Sequence, residues 1–212
     1  MILTAYTKIH SNTKTDALWG RVESAFPQAQ NREYFDDIRS RKNQDSIKES
    51  LCALLVLAEL VRKVNCDTFD LILGRQETGK PYFVNSEMEF SISHSRGYAA
   101  AAISDCSRVG IDIETAEFSS EKATRLAKRF FEESELTEQK AHPERFLRLW
   151  TKKEAYAKML GTPLSNMIAS EKKSARSDSR NAFFYELSAD THPLTVCLEW
   201  SCKITDLGEI NV

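Results

Sequence analysis

The chain has 212 residues, 42% hydrophobic and 28% charged, with 29 basic against 31 acidic side chains and a net charge of −2. That length holds one large domain or two small ones around a real core, and the charge balance offers no general basic field for nucleic acid. The longest apolar stretch, residues 51–61, is too short to span a bilayer and contains Glu59, so no membrane segment is expected.

In chain order, ILTAYTKI reads as a first strand, and the start of the chain lacks the charged head and apolar core of a secretory signal. A helix is expected from Ser46, where S-I-K-E (46–49) has the form of a capping box. It continues through LCALLVLAELVRK and is apolar on most faces, which predicts a central, buried helix. FDLILG (69–74), PYFVN, MEFSISHS (88–95), GYAAAAIS (97–104) and VGIDIE (109–114) read as strands, with a turn at Arg96-Gly97. SEKATRLAKRFF (120–131) has helical spacing, and a second helix is expected from Pro143 to a cap at Gly161. SEKKSARSDSRN (170–181) reads as a loop, and AFFYELS and LTVCLEW as closing strands. The pattern is α+β, with two halves of similar size, residues 1–107 and 108–212. Cys52, Cys66, Cys106, Cys197 and Cys202 are scattered and without metal-ligand company, which predicts reduced, mostly buried thiols in a cytoplasmic protein.

GRQETGKPYF (74–83) comes close to a phosphate-binding P-loop, but Pro81 stands where that motif needs Ser or Thr. Proline supplies no hydroxyl and no N–H, and it biases Lys80 away from the helical angles that such a loop needs. The P-loop reading therefore fails. A lysine held extended before a proline can still present one positive charge to a phosphate, and a solvated lysine in a tight turn is the plainer alternative.

Asp112 and Glu114 stand two apart on the VGIDIE strand and share a face, while Ile111 and Ile113 point the other way. Two neighbouring carboxylates repel unless a cation neutralises them, and Mg²⁺ commonly takes one or two carboxylates besides water and phosphate. In WTKKEAYAK, Trp150, Glu154 and Lys158 are spaced four apart on one stripe. A surface ion pair accounts for Glu154 and Lys158 as well as a third metal ligand or base followed by a phosphate-binding lysine does. His94 lies among Ser91, Ser93 and Ser95, which alternate as one strand face and could donate to phosphate or ribose.

GKP, FSISHS, VGIDIE and WTKKEAYAK, in this order, resemble the 4′-phosphopantetheinyl transferases of the larger, surfactin-synthetase-activating (Sfp-like) type. Those enzymes carry G-K-P, Phe-Asn-(Ile/Leu)-Ser-His-Ser, G-(Ile/Val)-Asp-(Ile/Val)-Glu and Trp-x-x-Lys-Glu-Ala/Ser-x-x-Lys segments. The resemblance covers roughly residues 45 to 165. It implies a monomer of two pseudo-symmetric α+β halves with coenzyme A in the cleft between them. It also implies transfer of the phosphopantetheine arm of coenzyme A to a serine hydroxyl of an apo carrier protein, with release of 3′,5′-ADP. Position by position, Lys80, Ser93 and His94 would contact coenzyme A phosphates, Asp112, Glu114 and Glu154 would hold Mg²⁺, and Lys158 would meet the diphosphate. Glu154 and a hydroxide on the metal are both candidates for the base.

Ser91 departs from the family pattern, which has asparagine there. The family also offers basic residues upstream for the 3′-phosphate, and Arg41 and Lys48 are the choices here, behind Asp36 and Asp37. The partner would be an acyl, peptidyl or aryl carrier protein, acidic around its serine. Arg125, Lys128 and Arg129 share a helix face that could meet it. Neither nucleic acid nor membrane is expected as a partner. A non-catalytic module that binds coenzyme A or a nucleotide is the competing reading.

Overall fold

The structure is a computed structural model and describes residues 1–171 and 182–212. The described elements run β1 (Ile2–Lys8), α1 (Thr15–Ala25), α2 (Asn31–Arg39), α3 (Gln44–Lys63), β2 (Leu73–Arg75), β3 (Pro81–Phe83), β4 (Glu89–Ser95), β5 (Tyr98–Ser104) and β6 (Val109–Ile113). They continue with α4 (Ser120–Phe130), α5 (Glu133–Ala141), α6 (Phe146–Leu160, entered through a single 3₁₀ turn at Pro143–Arg145), α7 (Leu164–Glu171), β7 (Phe183–Ala189), β8 (His192–Leu198) and β9 (Ile204–Glu209). From residue 172 onward, the expected loop at 170–181 lies outside the described residues.

The α+β class is as expected, and several boundaries move. α3 begins two residues before Ser46, because the Asn43 side chain accepts from the backbone N–H of Asp45 and Ser46 at 2.9 and 3.2 Å. The cap is therefore an asparagine rather than a serine capping box. The strand expected over 69–74 shrinks to Leu73–Arg75. Side chains take the backbone groups a ladder would have used: Asn31 donates to Leu71 O and accepts from Leu73 N, while Asn85 donates to Asp70 O and accepts from Ile72 N. The thiols are free, but only Cys52 and Cys197 are buried, since the other three sit in connections between elements.

Four strands form one sheet in the order β4-β5-β1-β9, with β5 antiparallel and β9 parallel to β1. Three others form a second antiparallel sheet, β6-β8-β7, and β2 and β3 make a short hairpin. The alanine run of β5 explains how the layers meet. Ala99 and Ala101 join one core with the α3 leucines, while Ala100 and Ala102 join another with Ile111 and Val196 of the second sheet. Alternation sends successive side chains to opposite faces, and here both faces are buried, so the methyl groups allow close approach on each side.

The second sheet carries α6. A Cβ on Gly110 would lie 2.0 Å from Ala155 O and 2.4 Å from Met159 N, so the helix backbone rests on the strand where only glycine fits. Gly161 closes α6 in the left-handed conformation, φ 67°, which costs glycine little. No described helix is long and apolar enough to cross a membrane.

Candidate functional site

β4 and β6 are edge strands of different sheets, and they are joined by side chains instead of a backbone ladder. The hydroxyls of Ser91, Ser93 and Ser95 accept from the N–H groups of Ile111, Ile113 and Thr115 at 3.1, 3.3 and 3.2 Å. Ser93 donates to Asp112 Oδ1 at 2.9 Å and Ser95 to Glu114 Oε1 at 2.5 Å. The serine alternation is thus a seam that satisfies one sheet edge and at the same time orients both carboxylates.

The stripe on α6 faces this seam. Lys158 Nζ donates to Asp112 Oδ1 and to Ser93 Oγ, each at 2.7 Å. Ser93 thereby accepts two bonds and donates one, leaving its hydroxyl fully engaged within the protein. Burial pushes the Asp112 carboxyl above its ordinary range, against the pull of Lys158. Glu154 makes no hydrogen bond or ion pair among the described residues. Burial, then the charges of Asp112 and Glu114, raise it to about 7. Trp150, the third member of the stripe, stacks on Phe146 with ring centroids 6.1 Å apart and anchors the helix among the aromatic side chains beneath α4.

The donor chemistry of Asp112, Glu114 and Glu154 suits a hard divalent cation: all donors are carboxylate oxygens, and their mutual repulsion is only partly neutralised. Yet no three His, Cys, Asp or Glu side chains among the described residues stand close enough together to hold an ion. The Lys158 ammonium occupies the inner oxygen of Asp112 in that role, and Ser95 and the N–H of Ala116 hold one oxygen of Glu114.

Two cavities flank Lys158, sharing it with Pro81 and Ile92. One, of ≈ 230 Å³, is walled by Thr78, Gly79, Lys80, Ser91, Glu154 and Gly161. Lys80 does not extend freely into it. Its side chain is buried and its Nζ donates to Glu89 Oε2 at 3.0 Å and to Met159 O at 3.2 Å, so it ties the β2–β3 turn to the C-terminal end of α6.

The other cavity, of ≈ 270 Å³, is lined by Tyr34, Arg41, Ser50, Arg75, His94 and Lys158. Arg41 donates to Ser50 Oγ at 2.8 Å and to Asp37 Oδ2 at 3.2 Å, and Asp37 also pairs with Arg75. The Arg75 guanidinium stacks over the Tyr34 ring at 4.4 Å, and the buried Tyr34 hydroxyl has no hydrogen-bond partner among the described residues. Three fixed cations on one small cavity make a site for an anion. Arg41 belongs to this site, whereas Lys48, half-buried on α3, lines neither cavity. Arg75 and Tyr34 were missed by sequence reasoning. The signal for Arg75 was its place in the same segment as Lys80, on the strand before the turn. Arg125 and Lys128 line a separate shallow hollow on α4, and Arg129 beside them is exposed.

Residues 108–205 match a family model described as the 4′-phosphopantetheinyl transferase superfamily. The chain is 35% identical over 123 residues to the 4′-phosphopantetheinyl transferase gsp of Aneurinibacillus migulanus, which covers 56% of this chain and 50% of that protein. It is 33% identical over 129 residues to the 4′-phosphopantetheinyl transferase Sfp of Bacillus subtilis (strain 168), covering 58% and 55%. To the 4′-phosphopantetheinyl transferase HetI of a Nostoc species it is 34% identical over 101 residues, covering 43% and 42%. The chain spans about half the length of the curated relatives it matches.

Proposed function

We propose, from the premise that this chain is an Sfp-type relative of the 4′-phosphopantetheinyl transferase superfamily, that it moves the phosphopantetheine arm of coenzyme A to a serine hydroxyl of an apo carrier protein. The other product is 3′,5′-ADP. The observation that carries this reading is the placement of Lys158 between the cavity lined by Arg41 and Arg75 and the carboxylate of Asp112, beside Glu154.

Coenzyme A brings a 3′-phosphate and a diphosphate, and the reaction asks the protein chiefly for positioning and charge stabilisation. Arg41, Arg75 and His94 supply donors for a phosphate in their cavity, with Lys158 at its inner wall to meet the diphosphate. Asp112, Glu114 and Glu154 would hold Mg²⁺, which when bound offsets the charge that builds on the leaving ADP. Ser93 and Lys80 serve the site from within the protein, Ser93 by holding Asp112 and Lys80 by closing the wall beside Gly161. Glu154, raised to about 7 and without a hydrogen bond among the described residues, is the carboxylate suited to take the proton of the incoming serine.

In this reading the halves 1–107 and 108–212 supply the two sides of the cleft, with β9 returning from the second to pair with β1. The carrier protein approaches over α4, meeting Arg125, Lys128 and Arg129. The test is to incubate the protein with coenzyme A, Mg²⁺ and apo carrier proteins of fatty-acid, polyketide and nonribosomal-peptide type. Mass spectrometry should show the added phosphopantetheine on at least one of them. No added mass on any carrier, with coenzyme A still bound, would leave a binding module of the same fold.

A further inference from the structure

His94 ends β4 with both ring nitrogens engaged. Nδ1 lies 3.0 Å from Glu49 Oε2, and Nε2 lies 3.2 Å from the hydroxyl of Ser50, a residue that lines the anion cavity. The second oxygen of Glu49 accepts the N–H of Gly97 at 2.8 Å, in the turn that joins β4 to β5. A carboxylate only accepts, so the Nδ1 position must carry the proton. Nε2 is thereby left for Ser50 and the cavity.

The electrostatics give this bond a purpose. Arg41 and Arg75, with Lys158 on α6, line the same cavity. Tyr34 is the remaining titratable group on that wall, and its burial keeps the phenol neutral. Glu49 is the acid in direct contact with the ring. Burial pushes its carboxyl up, but the bonds from His94 and Gly97 outweigh that and hold it below the ordinary range. It therefore remains ionised at neutral pH.

We propose that Glu49 is a positioning residue of the anion cavity: it fixes the proton on Nδ1 of His94 and so sets the ring, with Nε2 turned to Ser50 beside Arg41, Arg75 and Lys158. The proposal rests on the transferase reading for the identity of the phosphate, which is that of coenzyme A. Glu49 also anchors the Gly97 turn, and a purely structural role would end there.

Glu49→Gln separates the two roles. Its amide oxygen still accepts from Gly97, while its NH₂ group presents a donor to Nδ1. In the full chain, the ring ¹⁵N shifts of His94, followed by NMR without any ligand, should show the proton leave Nδ1 for Nε2. Coenzyme A affinity by calorimetry at neutral pH should weaken about tenfold, as expected for loss of a charge-assisted bond. In turnover the Michaelis constant for coenzyme A should rise by a similar factor while kcat stays within about twofold. In a His94→Gln background the same Glu49 change should cost nothing further in coenzyme A affinity. An Nδ1 proton that stays in place in the variant, or an equal loss of affinity in both backgrounds, overturns the proposal and leaves Glu49 as a turn anchor. If wild-type protein modifies no carrier, the transferase reading falls, while the ligand-free ¹⁵N spectrum still decides the role of Glu49.

Discussion

Gly110 lies under Ala155 so closely that a Cβ on the glycine would stand 2.0 Å from the helix carbonyl oxygen. This single contact sets the height of α6 above β6, and with it the reach of Glu154 and Lys158 toward Asp112. The obstructing atoms are backbone and cannot swing aside. Gly110→Ala should therefore cost at least the ~1–3 kcal/mol typical of overpacking, read as a lower midpoint in urea unfolding with an unchanged slope. Under the transferase reading it should reduce turnover further than lost stability explains, because lifting the helix separates Lys158 from Asp112. Wild-type stability in this variant would mean that the helix sits higher than described.

Asp112→Asn keeps the shape of the side chain and removes its charge. Burial has already pushed this carboxyl upward, so the native fold gains little from its ionisation. Turnover should fall by orders of magnitude while the thermal midpoint moves little, and wild-type rates at low Mg²⁺ would refute a metal role for this residue.

Glu154 makes stability depend on pH in a set direction. Its folded pKa of about 7 lies above the ordinary 4.5. The folded chain therefore holds a proton that the unfolded chain has released, and stability contributed by this group is lost as pH rises from about 4.5 through about 7. Urea unfolding of chelated protein across that window should show a downward slope that Glu154→Gln flattens. Added Mg²⁺ should flatten it too, if the cation sits among these carboxylates. Glu154→Gln should also cripple turnover yet keep coenzyme A affinity, while Lys158→Ala should mainly weaken coenzyme A binding. Intact turnover in both would leave Glu154 and Lys158 without a part in the reaction.

Tyr34 offers a test through stability alone. Its hydroxyl is buried without a partner among the described residues, which costs free energy in the fold. Tyr34→Phe should raise stability by up to about 1 kcal/mol, seen as a higher thermal midpoint. A lower midpoint would show that the hydroxyl has a partner in solution.

The basic face of α4 bears on the protein partner. Arg125 and Lys128 are exposed and line a hollow of their own, away from Lys158. Arg125→Glu combined with Lys128→Glu should raise the Michaelis constant for carrier protein and remove most of its salt dependence, because complementary charge acts mainly on encounter. Coenzyme A affinity should hardly change. Unchanged carrier kinetics at low salt would place docking elsewhere.

How much of this was legible beforehand depended on range along the chain. Strand alternation at 88–104 and 109–114, the apolar run of α3 and the cap at Gly161 are local, and their periodicities appear in the amino-acid order. The i,i+2 carboxylates and the i,i+4 stripe were likewise readable, because a strand and a helix each project such residues to one side. The parallel pairing of β9 with β1 was not, since it joins opposite ends of the chain without a local signal. Nor were the partners of the site residues. Ser91, Ser93 and Ser95 became a seam because two sheet edges lacked backbone partners. Lys80 turned to Glu89 and a helix carbonyl because burial demanded both bonds. Arg41, Arg75 and His94 share a cavity only because the α2–α3 connection, the β2–β3 hairpin and β4 pack together. Periodicity decides which way a side chain faces within its own element, but what it meets there depends on contacts between residues far apart in sequence, which only the tertiary structure sets.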